Sequence, residues 1–118
     1  MGQTLRIGER PLTIEDVETA EAVEIAASAR LRIALGREKL EALLARGARI
    51  YGVNTGVGGN IVFALDAGQS ERLQHNLMRH LSCATGAPLP RAVVRVAMLL
   101  RIATFATGCS AVRPALVD

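Results

Sequence analysis

Four glycines lie within the ten residues from Ile50 to Gly59, a segment that reads IYGVNTGVGG. Glycine costs about 1 kcal/mol relative to alanine in the interior of a helix, so this density excludes a stable helix here. Glycine also adopts positive φ and lets the backbone approach another group closely. The segment therefore predicts a loop, and the rest of the chain must fold on either side of it.

Two short elements are predicted near the start of the chain. Residues 4–7 alternate polar and apolar side chains and precede a turn at residues 8–10, which indicates a short strand or hairpin. Thr13 and Asp16 form a weak capping box. We expect the helix that they begin to continue past Val23, because apolar residues recur there at helical spacing.

Longer helices are predicted on both sides of the loop. A helix from Ser28 to Ala45 is expected to loosen at Gly36 and to end at Gly47. Residues 91–107 form another helix, which is apolar almost all round and therefore needs packing partners on every side. These patterns predict a mainly α fold.

A further helix is predicted directly after the glycine-rich loop. Asp66 and Gln69 form a D-x-x-Q start, and the helical pattern continues to about Thr85. Its buried stripe is predicted from four apolar residues at helical spacing: Leu73, Leu77, Leu81 and Ala84.

Composition limits the classes of function. Half of the residues are apolar, the net charge is +3, and all but one of the 14 basic residues are arginines scattered among glutamates. Because no basic stripe with stacking aromatics occurs, we expect no nucleic-acid partner. The most apolar stretch, residues 92–107, contains two arginines and is short for a membrane span, and no secretory signal opens the chain. We expect a globular, cytoplasmic protein with no membrane partner.

The histidines and cysteines do not predict a metal site. His75 and His80 are five residues apart on one helix and point about 140° away from each other, so we expect one to face solvent and the other to line an interface. Cys83 and Cys109 complete no zinc-binding spacing and are too few for a disulfide scaffold. We expect both cysteines to be small core residues.

Tyr51 is the only tyrosine and lies at the mouth of the glycine-rich loop. The loop lacks the lysine and hydroxyl of a phosphate-binding G-x-x-x-x-G-K-[ST] motif, so nucleotide binding is not predicted. A phenol ionises near pH ~10 and acts as a base near neutral pH only where charge or hydrogen bonds stabilise its anion. From these residues alone, Tyr51 is either such a base or a boundary tyrosine, in which the ring is buried and the hydroxyl reaches solvent.

Several motifs resemble, in the same order, those of the histidine, phenylalanine and tyrosine ammonia-lyases and the related aminomutases. The loop matches Y-G-x-N-T-G-x-G, and later segments match L-Q-x-N-L (residues 73–77), P-L-P…V-R…M-L-L-R (88–101) and G-x-S-x-V-R-P (108–114). Residues 1–49 agree more loosely. The resemblance implies that residues 1–118 are the N-terminal part of the helical ammonia-lyase fold, assembled as a homotetramer that acts on a small aromatic amino acid.

The resemblance also implies roles for individual residues. Tyr51 is expected to be the general base that removes a β-hydrogen from the substrate. Asn54, Gly58 and Leu81 are expected to contact the substrate. The remaining small residues of the motif are expected to shape the loop: Gly52, Thr55, Gly56 and Gly59.

The electrophile that the resemblance implies is 4-methylideneimidazole-5-one (MIO), formed from an Ala-Ser-Gly tripeptide. This chain contains no Ala-Ser-Gly, and Ala27-Ser28-Ala29 breaks the pattern. We therefore expect an incomplete unit, inactive alone, that further chain or a partner subunit completes in a homotetramer or hetero-oligomer, without metal. A non-catalytic helical interaction subunit is the alternative.

One position suggests the identity of the substrate. Where histidine and tyrosine lyases continue L-Q-x-N-L with Ser-His, this chain has His80-Leu81, and an apolar Leu81 suits an unsubstituted phenyl ring. Val57 and Gly59 also favour the phenylalanine branch. Leu81 can instead belong to the leucine stripe, and a histidine ammonia-lyase or a phenylalanine or tyrosine 2,3-aminomutase remains an alternative.

Overall fold

The computed structural model describes residues 3–118, and most of its regular structure is α-helical, as predicted. The chain divides into two compact units: a first unit of residues up to 42 with residues 89–118, and a second unit of residues 43–88. The strands and α-helices follow in the order β1 (Gln3–Ile7), α1 (Ile14–Thr19), β2 (Ala20–Ile25), α2 (Ala27–Ala45), α3 (Ala67–Leu81) and α4 (Arg91–Phe105). Short 3-10 turns occur at Gly58–Asn60 and Pro114–Leu116.

In the first unit, β1 and β2 form a two-stranded parallel sheet, with Leu5 opposite Val23 and Ile7 opposite Ile25. The predicted strand is confirmed, but the predicted hairpin is wrong. Gly8, at φ +97°, leads the chain into a crossover through α1 instead of into an adjacent strand. Parallel strands require such a crossover, because the end of the first strand and the start of the second lie at opposite ends of the sheet.

The capping box of α1 is confirmed. Thr13 Oγ1 accepts from the Asp16 N–H at 3.2 Å, and Asp16 Oδ2 accepts from the Thr13 N–H at 2.8 Å. The helix ends at Thr19, however, so its predicted continuation past Val23 is wrong. Pairing of residues 20–25 with β1 outweighs their helical spacing, as is common for β-branched residues beside an available strand.

Helix α2 runs without interruption through Gly36, so the predicted loosening there is wrong. A Cβ at Gly36 would overlap the carbonyl oxygen of Gly108. Glycine at this position therefore permits backbone-to-backbone packing of α2 against the end of α4. Arg32 reinforces the contact by donating to the carbonyls of Gly8 at 2.7 Å and Ala106 at 3.1 Å.

The core of the first unit is small and aliphatic. It consists of Leu5, Ile7, Val17, Ala20, Ala26, Ala29, Leu99 and Ala106. Leu99 is the one buried residue of α4, whereas Val93, Met98 and Leu100 are at least half exposed. The described residues thus leave most of this apolar helix uncovered, and none of their helices is long and apolar enough to cross a membrane.

The ends of the helices in the second unit follow the predicted signals. Gly47, at φ +76°, terminates α2 in a Schellman motif, in which the Gly47 N–H donates to Leu44 O and the Ala48 N–H to Leu43 O. Asp66 and Gln69 form a reciprocal capping box at the start of α3. Both predictions are confirmed.

Helix α3 ends at Leu81, four residues before the predicted Thr85. The predicted buried stripe is therefore wrong in its second half: Leu73 and Leu77 are partly buried, but Leu81 is 73% exposed and Ala84 lies beyond the helix.

The remaining placement predictions also fail in part. Cys83 and Cys109 are exposed free thiols, so their predicted core positions are wrong. His75 and His80 are both exposed within this chain, and an interface at one of them stays a prediction.

An ion pair ties the turn after β1 to α1. Arg10 donates to both carboxylate oxygens of the buried Asp16, at 2.6 and 2.7 Å. These hydrogen bonds and the one from the Thr13 N–H hold the pKa of Asp16 well below its usual range.

We expect Asp16→Asn to lower the melting temperature at pH 7, and the deficit to shrink as the pH falls below about 4. The folded pKa is depressed, so the contribution of Asp16 is present above the unfolded pKa of ~3.9 and is lost as the pH drops below it. Thermal unfolding followed by circular dichroism from pH 7 to pH 2.5 measures this. Glu15→Gln, at an exposed neighbouring acid, is the control. A deficit independent of pH would contradict the prediction.

Candidate active-site loop

The turn that carries Tyr51 is closed by the side chain of Asn54. Asn54 Oδ1 accepts from the Ile50 N–H at 2.8 Å, and Asn54 Nδ2 donates to the Ala48 carbonyl at 2.9 Å. The Asn54 N–H also donates to the Ile50 carbonyl, at 3.2 Å. One side-chain amide therefore satisfies two backbone groups directly before Tyr51, where no helix or strand does so.

Thr55 forms the second internal support. Its side chain is buried, and Oγ1 accepts from the Gly52 N–H at 3.2 Å while it donates to the Gly56 carbonyl at 2.9 Å. Gly52 lies at φ +69°, a conformation that favours glycine. The hydroxyl thus holds the backbone directly after Tyr51.

The loop returns alongside its own beginning. Thr55 and Ala64 form an antiparallel bridge, and the Leu65 N–H donates to the Asn54 carbonyl at 2.9 Å. A Cβ at Gly56 would overlap the carbonyl oxygen of Asn60, so close packing requires glycine at this point. The loop is therefore closed at its base by backbone contacts.

The phenol of Tyr51 projects from this scaffold. Its side chain is 60% exposed, and its hydroxyl oxygen accepts from the Gly58 N–H at 3.1 Å. Gly58, at φ +58°, begins the 3-10 turn Gly58–Asn60. The boundary-tyrosine interpretation required a buried ring, and the exposed ring does not match it. A backbone donor therefore holds the phenol oxygen of Tyr51 beside the turn.

Helix α3 also contacts the loop. Gln74 Nε2 donates to the Gly52 carbonyl at 2.9 Å. Sequence reasoning did not identify this contact, because it joins residues that are far apart in the chain. The available signal was the position of Gln74 within the L-Q-x-N-L motif.

The structure brings together most of the residues predicted for the site. Tyr51 and Gly58 are in direct contact, and Gly52, Thr55 and Gly56 make close contacts within the loop. Their functional roles stay predictions. Nothing in the structure requires glycine at position 59, where φ is not positive and an added Cβ would meet no atom within 4 Å.

Two predicted substrate contacts, at Asn54 and Leu81, stay predictions. The polar groups of Asn54 bind the backbone of the turn, so its contact with a substrate remains a prediction. Leu81 is the last residue of α3 and is exposed, and its place in a substrate pocket remains a prediction as well.

The residues of this chain do not form the electrophile that the resemblance implies. Ala27-Ser28-Ala29 begins α2, with Ala29 fully buried, and does not provide the Ala-Ser-Gly precursor. Among residues 3–118, no three histidine, cysteine, aspartate or glutamate side chains are grouped closely enough to hold a metal ion.

Comparison with known proteins identifies the family. The family model described as aromatic amino acid lyase matches residues 12–118. The chain belongs to the aromatic amino acid lyase family. Its relatives include a probable histidine ammonia-lyase of Thermoplasma volcanium, which is 40% identical over 91% of this chain and 22% of that protein. The histidine ammonia-lyase of Deinococcus radiodurans is 40% identical over 93% of this chain and 22% of that protein.

Solved structures agree with this assignment. The tyrosine aminomutase of Streptomyces globisporus superposes with a TM-score of 0.86 at 31% identity, over 98% of this chain and 23% of that one. The ergothioneine-degrading ergothionase of Treponema denticola gives a TM-score of 0.87 at 28% identity, over 98% and 24% of the two chains. The ammonia-lyase fold is thus confirmed, and the chain spans less than a quarter of the length of these relatives.

We expect Gly56→Ala to destabilise the loop and Gly59→Ala to leave it intact. The first substitution forces a Cβ against the Asn60 backbone, an overpacking that typically costs about 1–3 kcal/mol, whereas the second meets open space. Because Tyr51 is the only tyrosine and the chain has no tryptophan, acrylamide quenching of tyrosine fluorescence reports on this loop. Equal quenching in the two variants would contradict the prediction.

Proposed function

We propose that this chain carries the general-base loop of an aromatic amino acid ammonia-lyase. The observation that carries the proposal is the Tyr51 hydroxyl, which projects from an internally bonded loop and accepts the Gly58 N–H at 3.1 Å. A general base needs its accepting atom held in a defined place, and this contact holds the Tyr51 oxygen. Membership of the lyase family supports the same role.

In the proposed reaction, the Tyr51 phenolate oxygen takes a proton from the β-carbon of the substrate. The electron pair of the broken C–H bond forms the Cα–Cβ double bond, and the Cα–N bond breaks with its pair remaining on nitrogen. Ammonia and an aryl acrylate are the products. The Gly58 N–H donates to the Tyr51 oxygen before the transfer, and the protonated phenol oxygen can keep accepting this hydrogen bond afterwards.

The complete enzyme requires groups outside these 118 residues. We infer that MIO, which would be made from an Ala-Ser-Gly elsewhere in the protein, would supply the electrophile that makes the substrate amine a leaving group. We also infer that the assembly is a homotetramer or a hetero-oligomer. The 118-residue chain alone is then inactive. Re-addition of ammonia at the β-carbon would make the enzyme an aminomutase, the activity named for the structurally similar Streptomyces globisporus protein.

In the complete enzyme, we expect Tyr51→Phe to lower kcat by about 100- to 10,000-fold, the range of general-base catalysis, with little change in KM. Phenylalanine preserves the ring and removes the accepting oxygen. Aryl acrylate formation followed by ultraviolet absorbance measures the rate, and circular dichroism checks the fold. Near-normal turnover by the variant would show that Tyr51 is not the base.

Two substrates are supported by different observations. An apolar, exposed Leu81 at the end of α3 favours the phenyl ring of phenylalanine, since a polar ring would leave a hydrogen-bonding group unpaired. The names of the similar Thermoplasma and Deinococcus proteins favour histidine. We propose phenylalanine first and histidine as the second candidate.

We expect Leu81→His to shift the ratio of kcat/KM values towards histidine or tyrosine by about tenfold or more, as one polar pocket contact typically does. Met78→His, at another exposed position of α3, is the matched control and should leave the ratio unchanged. Competition between the amino acids, analysed by chromatography of the acrylates, measures it. An unchanged ratio in Leu81→His would remove Leu81 from the substrate pocket, and a wild-type preference for histidine would select the second candidate.

A further inference from the structure

We propose that Gln74 is a positioning residue for Tyr51, which it holds in place through the backbone of Gly52. The inference rests on the proposed function, in which Tyr51 is the base. It concerns a side chain on α3 that has no role in the chemistry itself.

Gly52, the residue directly after Tyr51, has both of its backbone polar groups engaged. Its N–H donates to Thr55 Oγ1 at 3.2 Å, and its carbonyl accepts from Gln74 Nε2 at 2.9 Å. The first contact lies within the loop and moves with it. The contact from Gln74 instead connects the loop to a regular helix, α3.

This connection to α3 matters because few contacts restrict the backbone dihedral angles of Gly52. It has positive φ, and the nearest atom to an added Cβ, a methyl carbon of Val57, is 4.0 Å away. Neither a side chain nor tight packing therefore restricts rotation at Gly52. The ring of Tyr51 is itself mostly exposed, so packing contributes little to its direction.

Helix α3 provides a firm anchor for this contact. Gln74 lies in the middle of Ala67–Leu81, away from the ends that fray, and the helix begins with a complete capping box. The bond is exposed, and such bonds contribute modestly to stability. Its loss is therefore expected to affect the position of the phenol more than the stability of the fold.

The first experiment compares Gln74→Glu with Asn76→Asp in the 118-residue chain. Gln74→Glu keeps the shape of the side chain, removes the donor and places an acceptor against the Gly52 carbonyl. Asn76→Asp makes the same change of charge at an exposed amide of the same helix. Because the fluorescence comes from Tyr51 alone, we expect lower anisotropy and stronger acrylamide quenching in Gln74→Glu and not in Asn76→Asp.

A third variant, Gln74→Met, removes the donor without adding charge and should behave like Gln74→Glu. Circular dichroism establishes that all three variants keep the helix content of the wild type. If anisotropy and quenching match the wild type in both Gln74 variants, the proposal is wrong. The same holds if Asn76→Asp changes them equally.

The second experiment measures kinetics in the complete enzyme. We expect both Gln74 variants to lower kcat about 10- to 100-fold, as a displacement of roughly 1 Å of a catalytic group does, with KM nearly unchanged and a melting temperature near that of the wild type. A purely structural role would instead lower the melting temperature and leave kcat of the folded enzyme unaltered, and it would overturn the proposal.

The two proposals fail in different ways. If Tyr51→Phe retains turnover, the proposed function fails, whatever the Gln74 variants do to fluorescence. If Tyr51→Phe is inactive while the Gln74 variants keep normal kcat and normal fluorescence, the positioning role of Gln74 alone is overturned.

Discussion

The side-chain amide of Asn54 is the contact on which the candidate site depends. It accepts from one backbone N–H and donates to one backbone carbonyl, so a single side chain replaces the bonds that a helix or sheet would provide. Both contacts lie directly before Tyr51 in the chain, and together with the bond from the Asn54 N–H to the Ile50 carbonyl they close the turn that carries it. The hydrogen bond from the Gly52 N–H to Thr55 Oγ1 and the antiparallel closure at Leu65 both extend the turn that Asn54 closes.

Glycines serve two physical purposes in this chain. Gly52 and Gly58 have positive φ, so they bend the backbone where most residues would be strained. Gly36 and Gly56 have no positive φ but lie so close to another backbone that no Cβ fits. In the loop, the two purposes combine: the chain turns tightly, packs on itself and places the Gly58 N–H where it donates to the Tyr51 hydroxyl.

Features made by neighbouring residues could be predicted closely from the sequence. The capping boxes at Thr13 and Asp66 and the helix end at Gly47 each involve groups within a few positions of one another, so their residue types suffice. The loop followed from glycine density alone. The role of Tyr51 did not follow from local residue types, because an isolated tyrosine can be either a general base or a boundary residue. Only the ordered motifs around Tyr51 favoured the general base.

The sequence by itself thus determined the helix caps, the glycine-rich loop, the family and the candidate base. Only the tertiary structure decided that β1 pairs with β2 in parallel, that Gly36 permits close packing without breaking α2, and that Gln74 anchors the backbone beside Tyr51. The physical reason is separation along the chain. A cap or a turn depends on residues close together in the chain, so their residue types predict it. A strand partner, a backbone contact or a side-chain anchor depends instead on which distant group the fold brings within reach.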